Sequence, residues 1–469
     1  MNYTDTVFLA FFAIAFTAYY LARSGRVQVF ILIAASLFFY AWEAPALLAV
    51  FLTSWFITGV SSYGVLTTDN PRNAKQYATI GVAANLAMLG FFKYKFLVLP
   101  HIVDLTSHSP NSLGGWLLLA PLPIGISFYS FHGISLLVDV YRGNNAFSAE
   151  KQSSVVKYLG ETLLYLVFFP QLIAGPIIKA KSFYPQVGPK RFRDIDYLGA
   201  FRLLTVGYFL KSVIADNLSE QTYWIAYPYF QWRSSADLLI LLYGYSAQIF
   251  ADFAGYSLIA IGLGKLLGYE LPANFNFPYV STSISDFWRR WHISLSSWLR
   301  DYLYIPLGGS HKGTVRTYIN LIIVMFLGGL WHGAAWSFAV WGLWHGIGLA
   351  LERPWLGSRF MTTSNPLAIA LRILLVFNFV TMGWLFFKLQ NFSEALLYLN
   401  TLAGSKASGM AKPVAFLIAV YGSAVLLYHL AHAAKRQVPR QLKDVGHGVM
   451  LFLIITNPGP AVPFIYFQF

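Results

Sequence analysis

The chain of 469 residues contains no cysteine. Without a thiol it cannot form a disulfide, use a cysteine nucleophile, carry a cysteine-bound iron–sulfur cluster or bind zinc through sulfur. Any chemistry that it performs must therefore use oxygen or nitrogen side chains, or a thiol that arrives as part of a substrate.

Charged residues are also scarce, at 11% of the chain, whereas hydrophobic residues make up 57%. An ordinary soluble domain has about 25% charged and about 45–50% apolar residues, so this composition is typical of a membrane protein. Because a span needs about 20 apolar residues and lipid offers the backbone no partners, we predict an all-α polytopic protein with about ten to twelve transmembrane helices plus re-entrant and interfacial helices. The clearest apolar runs are 7–22, 27–41, 47–60, 238–267, 318–330 and 371–387.

Acidic residues are the rarer charged class, with 19 Asp and Glu against 33 Lys and Arg and a net charge of +14. In a membrane protein this excess favours cytoplasmic loops in contact with anionic headgroups, and nucleic-acid binding is the weaker explanation. The first apolar segment carries Asp5 and no basic residue ahead of it, so we expect a retained membrane helix, with the basic loops in the cytoplasm and the N terminus on the outer side. The basic patches lie at 23–26, 72–75, 179–193, 289–316 and 435–443.

Several common motifs are missing as well. There is no G-x-S-x-G elbow, no P-loop and no H-E-x-x-H pair, which argues against a serine hydrolase, a nucleotide-hydrolysing pump and a zinc protease. We find no second compositional zone and predict a single transmembrane domain over residues 1–469 with no metal. Histidines without metal-ligand spacing are His101, His108, His132, His311, His429, His432 and His447.

Two stretches interrupt the helical pattern. Residues 168–176 place Pro170, Gly175 and Pro176 inside an apolar run, which predicts a kinked or re-entrant segment. Residues 274–311 combine tryptophan, arginine, serine and proline at a density that no lipid-facing helix would carry. This second stretch predicts a pair of interfacial helices on the cytoplasmic side, ending at the turn after Pro306.

The second stretch has two competing explanations. Ser283 or Ser285 can cap a helix that begins near Asp286, and the aromatic residues that follow could anchor this helix at headgroup depth. Alternatively, its basic residues could receive a phosphorylated donor, because guanidinium groups bind phosphate in a bidentate manner. The residues for that role are Arg289, Arg290, Arg300 and Lys312.

An intramembrane histidine is the strongest catalytic candidate. Counting from Arg316 at 1.5 Å per residue places His332 roughly 24 Å along the helix, past the middle of a hydrocarbon core of about 30 Å. An ionisable group at that depth indicates a functional site, although a neutral imidazole that is merely hydrogen-bonded in the core is the alternative. A dry histidine can accept a proton from an attacking hydroxyl, as acyl transfer requires. His345 would lie about 220° away on one continuous helix, so we predict that it packs rather than reacts.

Five sequence blocks resemble the membrane-bound O-acyltransferases, in particular the bacterial branch that acetylates exopolysaccharides such as alginate or cellulose. They cover about a quarter of the chain. The blocks are PLPIGISFYSFHGISLLVDVYRG at 121–143, FFPQLIAGPI at 168–177, DFAGYSLIAIGLGKLLGYELPANFNFPY at 252–279, DFWRRWHISLSSWLRDYLYIPLGG at 286–309 and GGLWHGAAWSFAVWGLWHG at 328–346.

The resemblance implies a fold with a central tunnel, in which His332 matches the catalytic histidine and His292 the histidine of a second, cytoplasmic-side motif. It implies acetyl-CoA or a carrier-bound thioester as donor substrate, no bound cofactor, and a periplasmic SGNH-type partner that acetylates the polysaccharide. A transporter of an activated acetyl group or polyanion, and a scaffold for polymer export, are the competing functions. The implied donor-binding residues are Asn276, Asp286, Trp288, Arg289, Arg290, Arg300 and Trp331.

Overall fold

The computed structural model describes residues 1–98, 112–143, 154–172, 175–405, 412–434 and 439–465, and every extended regular element in these ranges is helical. His101, His108, part of the broken stretch at 173–174 and the start of the basic patch at 435–443 lie outside the described residues. The first half contains α1 Thr6–Leu21, α2 Gly25–Ala41, α3 Leu48–Thr67, α4 Pro71–Val98, α5 Leu113–Leu119, α6 Ile126–Tyr141, α7 Val155–Val167, α8 Phe169–Leu172, α9 Ala180–Phe183, α10 Tyr197–Tyr208 and α11 Asp216–Thr222. The second contains α12 Ser235–Leu266, α13 Ile284–Arg290, α14 Ile293–Leu299, α15 Thr314–His332, α16 Trp336–Glu352, α17 Arg359–Thr362, α18 Pro366–Lys388, α19 Phe392–Gly404, α20 Lys412–Ala433 and α21 Arg440–Thr456.

Seven helical segments in the described ranges are long and apolar enough to cross a bilayer. Two shorter apolar helices, α1 and α2, accompany them, and the larger number predicted from sequence also included such short runs. The prediction of an all-α polytopic membrane protein is confirmed, because helices satisfy their own backbone groups where water is absent. The seven candidate spans are Pro45–Thr67, Pro71–Val98, Tyr197–Ile225, Ser235–Leu266, Thr314–His332, Pro366–Lys388 and Lys412–Ala433.

Backbone contacts group the chain into two compact units, and the single-domain organisation stays a prediction. The first unit contains Met1–Ala200 and Leu263–Pro272, and the second contains Phe201–Gly262 and Ala273–Phe469. In the first unit the predicted break is present: α8 ends at Leu172, and Pro176 begins a short non-helical stretch. The second unit holds every residue that the sequence proposed for the site.

The hairpin of α15 and α16 positions the site, and glycines allow the two helices to touch. A Cβ atom on Gly329 would lie 2.2 Å from the carbonyl oxygen of Phe338, and one on Gly342 would lie 2.3 Å from that of Met325. These pairings run in opposite directions along the chain, so the helices are antiparallel. Close backbone approach through small residues is the usual means of helix association in lipid.

Gly342→Ala is therefore expected to destabilise the protein by about 1–3 kcal/mol, because the added methyl group must push two backbones apart. The measurement is the thermal unfolding of the detergent-solubilised protein. Gly448→Ala, in α21, is the matched control, since a Cβ atom there has no atom within 4 Å. Equal unfolding midpoints for the two variants would contradict close packing at this crossing.

Candidate functional site

α15 carries His332 on its last residue without interruption. The 16-residue separation from Arg316 corresponds to about 24 Å along an α-helix. The helix ends here because Gly333 has an extended backbone, and the ring of Phe338 occupies the space that a side chain at 333 would need. The imidazole therefore lies where α15 turns into α16, and its depth in a membrane stays a prediction.

Aromatic rings surround this imidazole. The ring centroid of His332 lies 5.0 Å from Trp331, 5.0 Å from Trp341 and 5.2 Å from Phe387, each in an edge-on arrangement. Only 6% of the residue is exposed. Edge-on rings fix the orientation of their neighbour, so the three rings hold the imidazole in one orientation.

His292 is the second buried histidine, between α13 and α14. Its backbone is left-handed, with φ of 43°, and its ring packs edge-on against Phe253 at 4.6 Å. Burial lowers the pKa of His292 to about 3, so this imidazole is neutral near pH 7. Trp331 lies between the two histidines, 6.1 Å from the ring of His292 and 5.0 Å from that of His332.

Asn274 holds His292 in place, and the sequence analysis missed it. Its Oδ1 accepts a hydrogen bond from the Ser294 hydroxyl at 2.6 Å and lies 3.4 Å from Nδ1 of His292, while its Nδ2 donates to Ser257 at 2.9 Å. The sequence instead proposed Asn276. This residue is exposed, and its backbone N–H donates to the carbonyl oxygen of Arg290 while its own carbonyl oxygen accepts from the Arg290 guanidinium group. The two asparagines stand two positions apart in NFNF, and only the fold distinguishes them.

The arginines Arg289, Arg290 and Arg300 form three ion pairs with two carboxylates. The Asp286 carboxylate lies 3.0 Å from Arg290 and 3.7 Å from Arg289, and Ser283, rather than Ser285, caps this helix. Arg300 pairs with Asp301 at 2.8 Å. The side chains of Arg289 and Arg300 are 72% and 62% exposed, so both guanidinium groups are accessible to a ligand from solvent.

Trp341 lies between Trp288 of α13 and His332 of α15. It is a second residue that the sequence analysis missed. Its ring lies 5.0 Å from His332, 5.0 Å from His345 and 5.7 Å from Trp288. His345 is fully buried on α16, a different helix from His332, so the 220° separation calculated for one continuous helix does not apply. Its packing among rings still agrees with the structural role predicted for it.

The structure therefore brings together His332, Trp331, His292 and, through Trp341, Trp288. It places Asp286, Arg289 and Arg290 in one cluster and Arg300 beside Asp301 in another. Asn276 is exposed, whereas His292 and Asn274 are buried. Within the described ranges, no group of three or more histidine, aspartate or glutamate side chains could hold a metal ion.

Comparisons with known proteins show which family the sequence resembles. The family profile described as "MBOAT, membrane-bound O-acyltransferase family" matches residues 139–393, which include both histidines. The probable alginate O-acetylase of Azotobacter vinelandii is 37% identical over 404 residues, covering 84% of this chain and 76% of that protein. The peptidoglycan O-acetyltransferase of Helicobacter pylori is 33% identical over 436 residues, covering 86% of this chain and 79% of that protein.

A more distant relative is the teichoic acid D-alanyltransferase of Bacillus subtilis, 29% identical over 295 residues, covering 60% of this chain and 70% of that protein. The names of these relatives all describe transfer of an acyl group. Since the profile covers more than half of the chain and the alginate and peptidoglycan enzymes match most of it, the chain belongs to the membrane-bound O-acyltransferase family and is an O-acetyltransferase.

Proposed function

We propose that this protein moves an acetyl group from a cytoplasmic thioester donor across the bacterial inner membrane for O-acetylation of a secreted polysaccharide. The single observation that supports the proposal most strongly is the buried pair of histidines on either side of Trp331. His292 lies between the short helices α13 and α14, in the segment that also carries the exposed Arg289 and Arg300. His332 is the last residue of α15, the helix that follows this segment. A donor and an acceptor can thus approach the pair from opposite directions.

His332 acts as the general base in this proposal. It takes the proton of the acceptor hydroxyl, the hydroxyl oxygen forms a bond to the acetyl carbonyl carbon, and the carbon–sulfur bond breaks. The sulfur leaves as a thiol once it has received the proton that His332 accepted. The rings of Trp331, Trp341 and Phe387 hold the imidazole in one orientation between these two steps, while it carries the proton.

The exposed arginines provide the donor side. Arg289 and Arg300 offer guanidinium groups to the phosphates of acetyl-CoA or of a carrier-bound thioester, and Asp286 orients Arg289 and Arg290. Charge-assisted pairing of this kind sets binding rather than the rate of the chemical step. Trp288 and Trp331 line the route from this surface to His332, and Asn276 lies beside Arg290 at its entrance.

We further propose that a periplasmic SGNH-type partner receives the acetyl group and acetylates the polymer, and that the N terminus is periplasmic. The relatives named for alginate and for peptidoglycan support an alginate-type or cell-wall polymer, and acetylated cellulose is the third candidate. A tunnel through the bundle, which the family resemblance implies, would connect the two faces.

The experiment that tests the function uses the full chain in lipid nanodiscs with acetyl-CoA labelled in the acetyl group. Acyl transfer predicts release of one free coenzyme A for each acetyl group that appears on the partner or polymer. Transport without bond cleavage, the competing function, predicts that the label crosses a vesicle membrane while coenzyme A remains acylated. Export of polymer without acetylation would instead indicate a scaffold.

Asn274→Ala is expected to lower kcat by about ten- to a hundredfold with little change in KM, because a catalytic group displaced by about 1 Å loses that much. The variant leaves Ser257 and Ser294 without their shared partner and releases His292 from one side. Asn276→Ala is the matched control and should keep the wild-type kcat. If the two variants behave alike, Asn274 is not a positioning residue.

A further inference from the structure

Three aromatic side chains near His332 have buried nitrogen atoms without a hydrogen bond. They are Trp288 of α13 and Trp341 and His345 of α16. The indole nitrogens of both tryptophans and both ring nitrogens of His345 are buried and have no hydrogen-bond partner among the described residues. Because buried polar groups in proteins are nearly always hydrogen-bonded, this group of unpaired nitrogens requires an explanation.

The three rings contact one another. Ring centroids lie 5.0 Å apart for Trp341 and His345, 5.1 Å apart for Trp288 and His345, and 5.7 Å apart for Trp288 and Trp341. An indole nitrogen can only donate, and even a neutral imidazole carries one N–H, so the cluster offers more donors than acceptors. Such a surplus of donors fits a ligand atom that accepts hydrogen bonds, and a carbonyl oxygen is such an atom.

Trp341 brings this cluster against His332. Its ring lies 5.0 Å from the imidazole and is almost perpendicular to it, at 88°, and only 1% of the residue is exposed. The neighbouring Gly342 packs directly on the backbone of Met325, so the crossing of α15 and α16 fixes this position. A carbonyl group that reacts beside the imidazole is therefore also beside the Trp341 ring.

The cluster also adjoins the helix that carries the donor-side arginines. The ring of Trp288 contacts both Trp341 and His345. Glu352, at the end of α16, accepts hydrogen bonds from the backbone N–H groups of Ile284 and Ser285, which holds the start of α13 against α16. These contacts place the unpaired donors between α13 and His332, where the thioester of a bound donor must arrive.

We propose that the indole N–H of Trp341 stabilises the oxyanion that forms when the thioester is attacked beside His332. As the hydroxyl oxygen bonds to the acetyl carbon, an electron pair moves onto the carbonyl oxygen, which accepts a hydrogen bond from the indole. The indole keeps its proton. When the carbonyl double bond re-forms, the carbon–sulfur bond breaks and the sulfur takes the proton held by His332. The inference rests on the proposed function, because it assigns a further catalytic residue to that reaction.

Replacement of the N–H alone tests this role. Trp341→benzothienylalanine keeps the bicyclic ring and exchanges its N–H for sulfur. In the full chain in lipid nanodiscs, this variant is expected to lower kcat by about 10²-fold, as loss of one oxyanion donor does. KM for acetyl-CoA should not change, because the hydrogen bond strengthens only as charge develops. The measurement is transfer from labelled acetyl-CoA to the partner or polymer, together with the thermal unfolding of each variant.

Trp384→benzothienylalanine is the matched control. Trp384 is also 1% exposed and stacks on Trp341 at 5.9 Å, but among the described residues it makes no ring contact with His332. This variant should keep the wild-type kcat, and both variants should unfold at the wild-type temperature. Equal falls in kcat for the two variants would overturn the proposal, because a general disturbance of the aromatic cluster would then explain both.

A donor analogue separates a catalytic role of Trp341 from a structural one. In the dithioester analogue of acetyl-CoA, sulfur replaces the carbonyl oxygen, and sulfur is a weak hydrogen-bond acceptor. The slowing that this exchange causes should be about tenfold smaller in the Trp341 variant than in the wild type, because two groups in direct contact do not act additively. The same slowing in both proteins would disprove a hydrogen bond from this indole to the reacting oxygen.

Failure of this inference can be distinguished from failure of the proposed function. A wild-type chain that transfers no acetyl group from acetyl-CoA would contradict the function itself. Transfer by the wild type, with an unchanged kcat in the Trp341 variant, would overturn this inference alone. If Trp341→benzothienylalanine fails to fold, Trp341→Phe and Trp384→Phe supply the same comparison, since phenylalanine keeps an aromatic ring without an N–H.

Discussion

His332→Ala is expected to lower acetyl transfer by about 10²–10⁴-fold, the usual contribution of a general base. The loss should fall on kcat rather than on KM, because the exposed Arg289 and Arg300, which bind the donor in this proposal, do not contact this imidazole. The measurement is acetyl transfer from labelled acetyl-CoA by the purified, folded variant. The large effect is expected because the imidazole is held by three aromatic rings, none of which can itself serve as a base.

Two further variants make this result interpretable. His332→Phe keeps the ring volume inside the aromatic cluster, so that a loss of activity cannot be attributed to a cavity in the core. His447→Ala removes a half-buried histidine from α21, a helix outside the aromatic cluster, and should leave transfer unchanged. Transfer within a factor of two of wild type in both His332 variants would rule out the general-base role.

Lys211→Met is expected to destabilise the protein by about 3–5 kcal/mol, the typical result of removing one partner from a buried ion pair. The ammonium is paired with two carboxylates, and all three side chains are buried. The Asp252 carboxylate also accepts a hydrogen bond from the backbone N–H of Ile465 at 2.8 Å. The substitution leaves both carboxylates in the core without their cation and releases the segment at 462–465 from one side.

The thermal unfolding of the detergent-solubilised variants provides the measurement. Lys265→Met is the matched control, because Lys265 pairs with Glu270 and Asp196, whose side chains are 71% and 57% exposed, and surface pairs contribute about 0–1 kcal/mol. The double variant Lys211→Met with Asp252→Asn should recover part of the loss by removing one of the unpaired charges. Equal stability of the Lys211 and Lys265 variants would disprove the cluster's structural importance.

The burial of the candidate histidines was largely predictable from sequence. A histidine after a long apolar run, next to glycines, indicates a buried and functional imidazole through the cost of its location alone. The helix cap at Ser283 and the break after Leu172 could also be predicted from nearby residues, because serine and proline act on the backbone beside them. These features depend on neighbours within a few residues along the chain.

The partners of the histidines were not predictable in the same way. Asn274 and Asn276 have the same side chain two positions apart, yet only Asn274 faces His292. Trp341 contacts His332 because α15 and α16 cross at Gly329 and Gly342, and Phe387 reaches the same ring from a third helix. Such contacts depend on how the helices cross, and the sequence spacing between the contacting residues does not indicate where the helices will cross.

The sequence by itself determined that the chain is a helical membrane protein, that it has no thiol of its own, and that its motifs resemble the O-acyltransferases. Composition and depth suffice for these conclusions, because lipid penalises every unpaired backbone group and every isolated charge. Only the tertiary structure decided that His292 and His332 lie on either side of Trp331 and that Trp341 lies against His332. Packing between distant helices sets those distances, and it is a property of the folded chain as a whole.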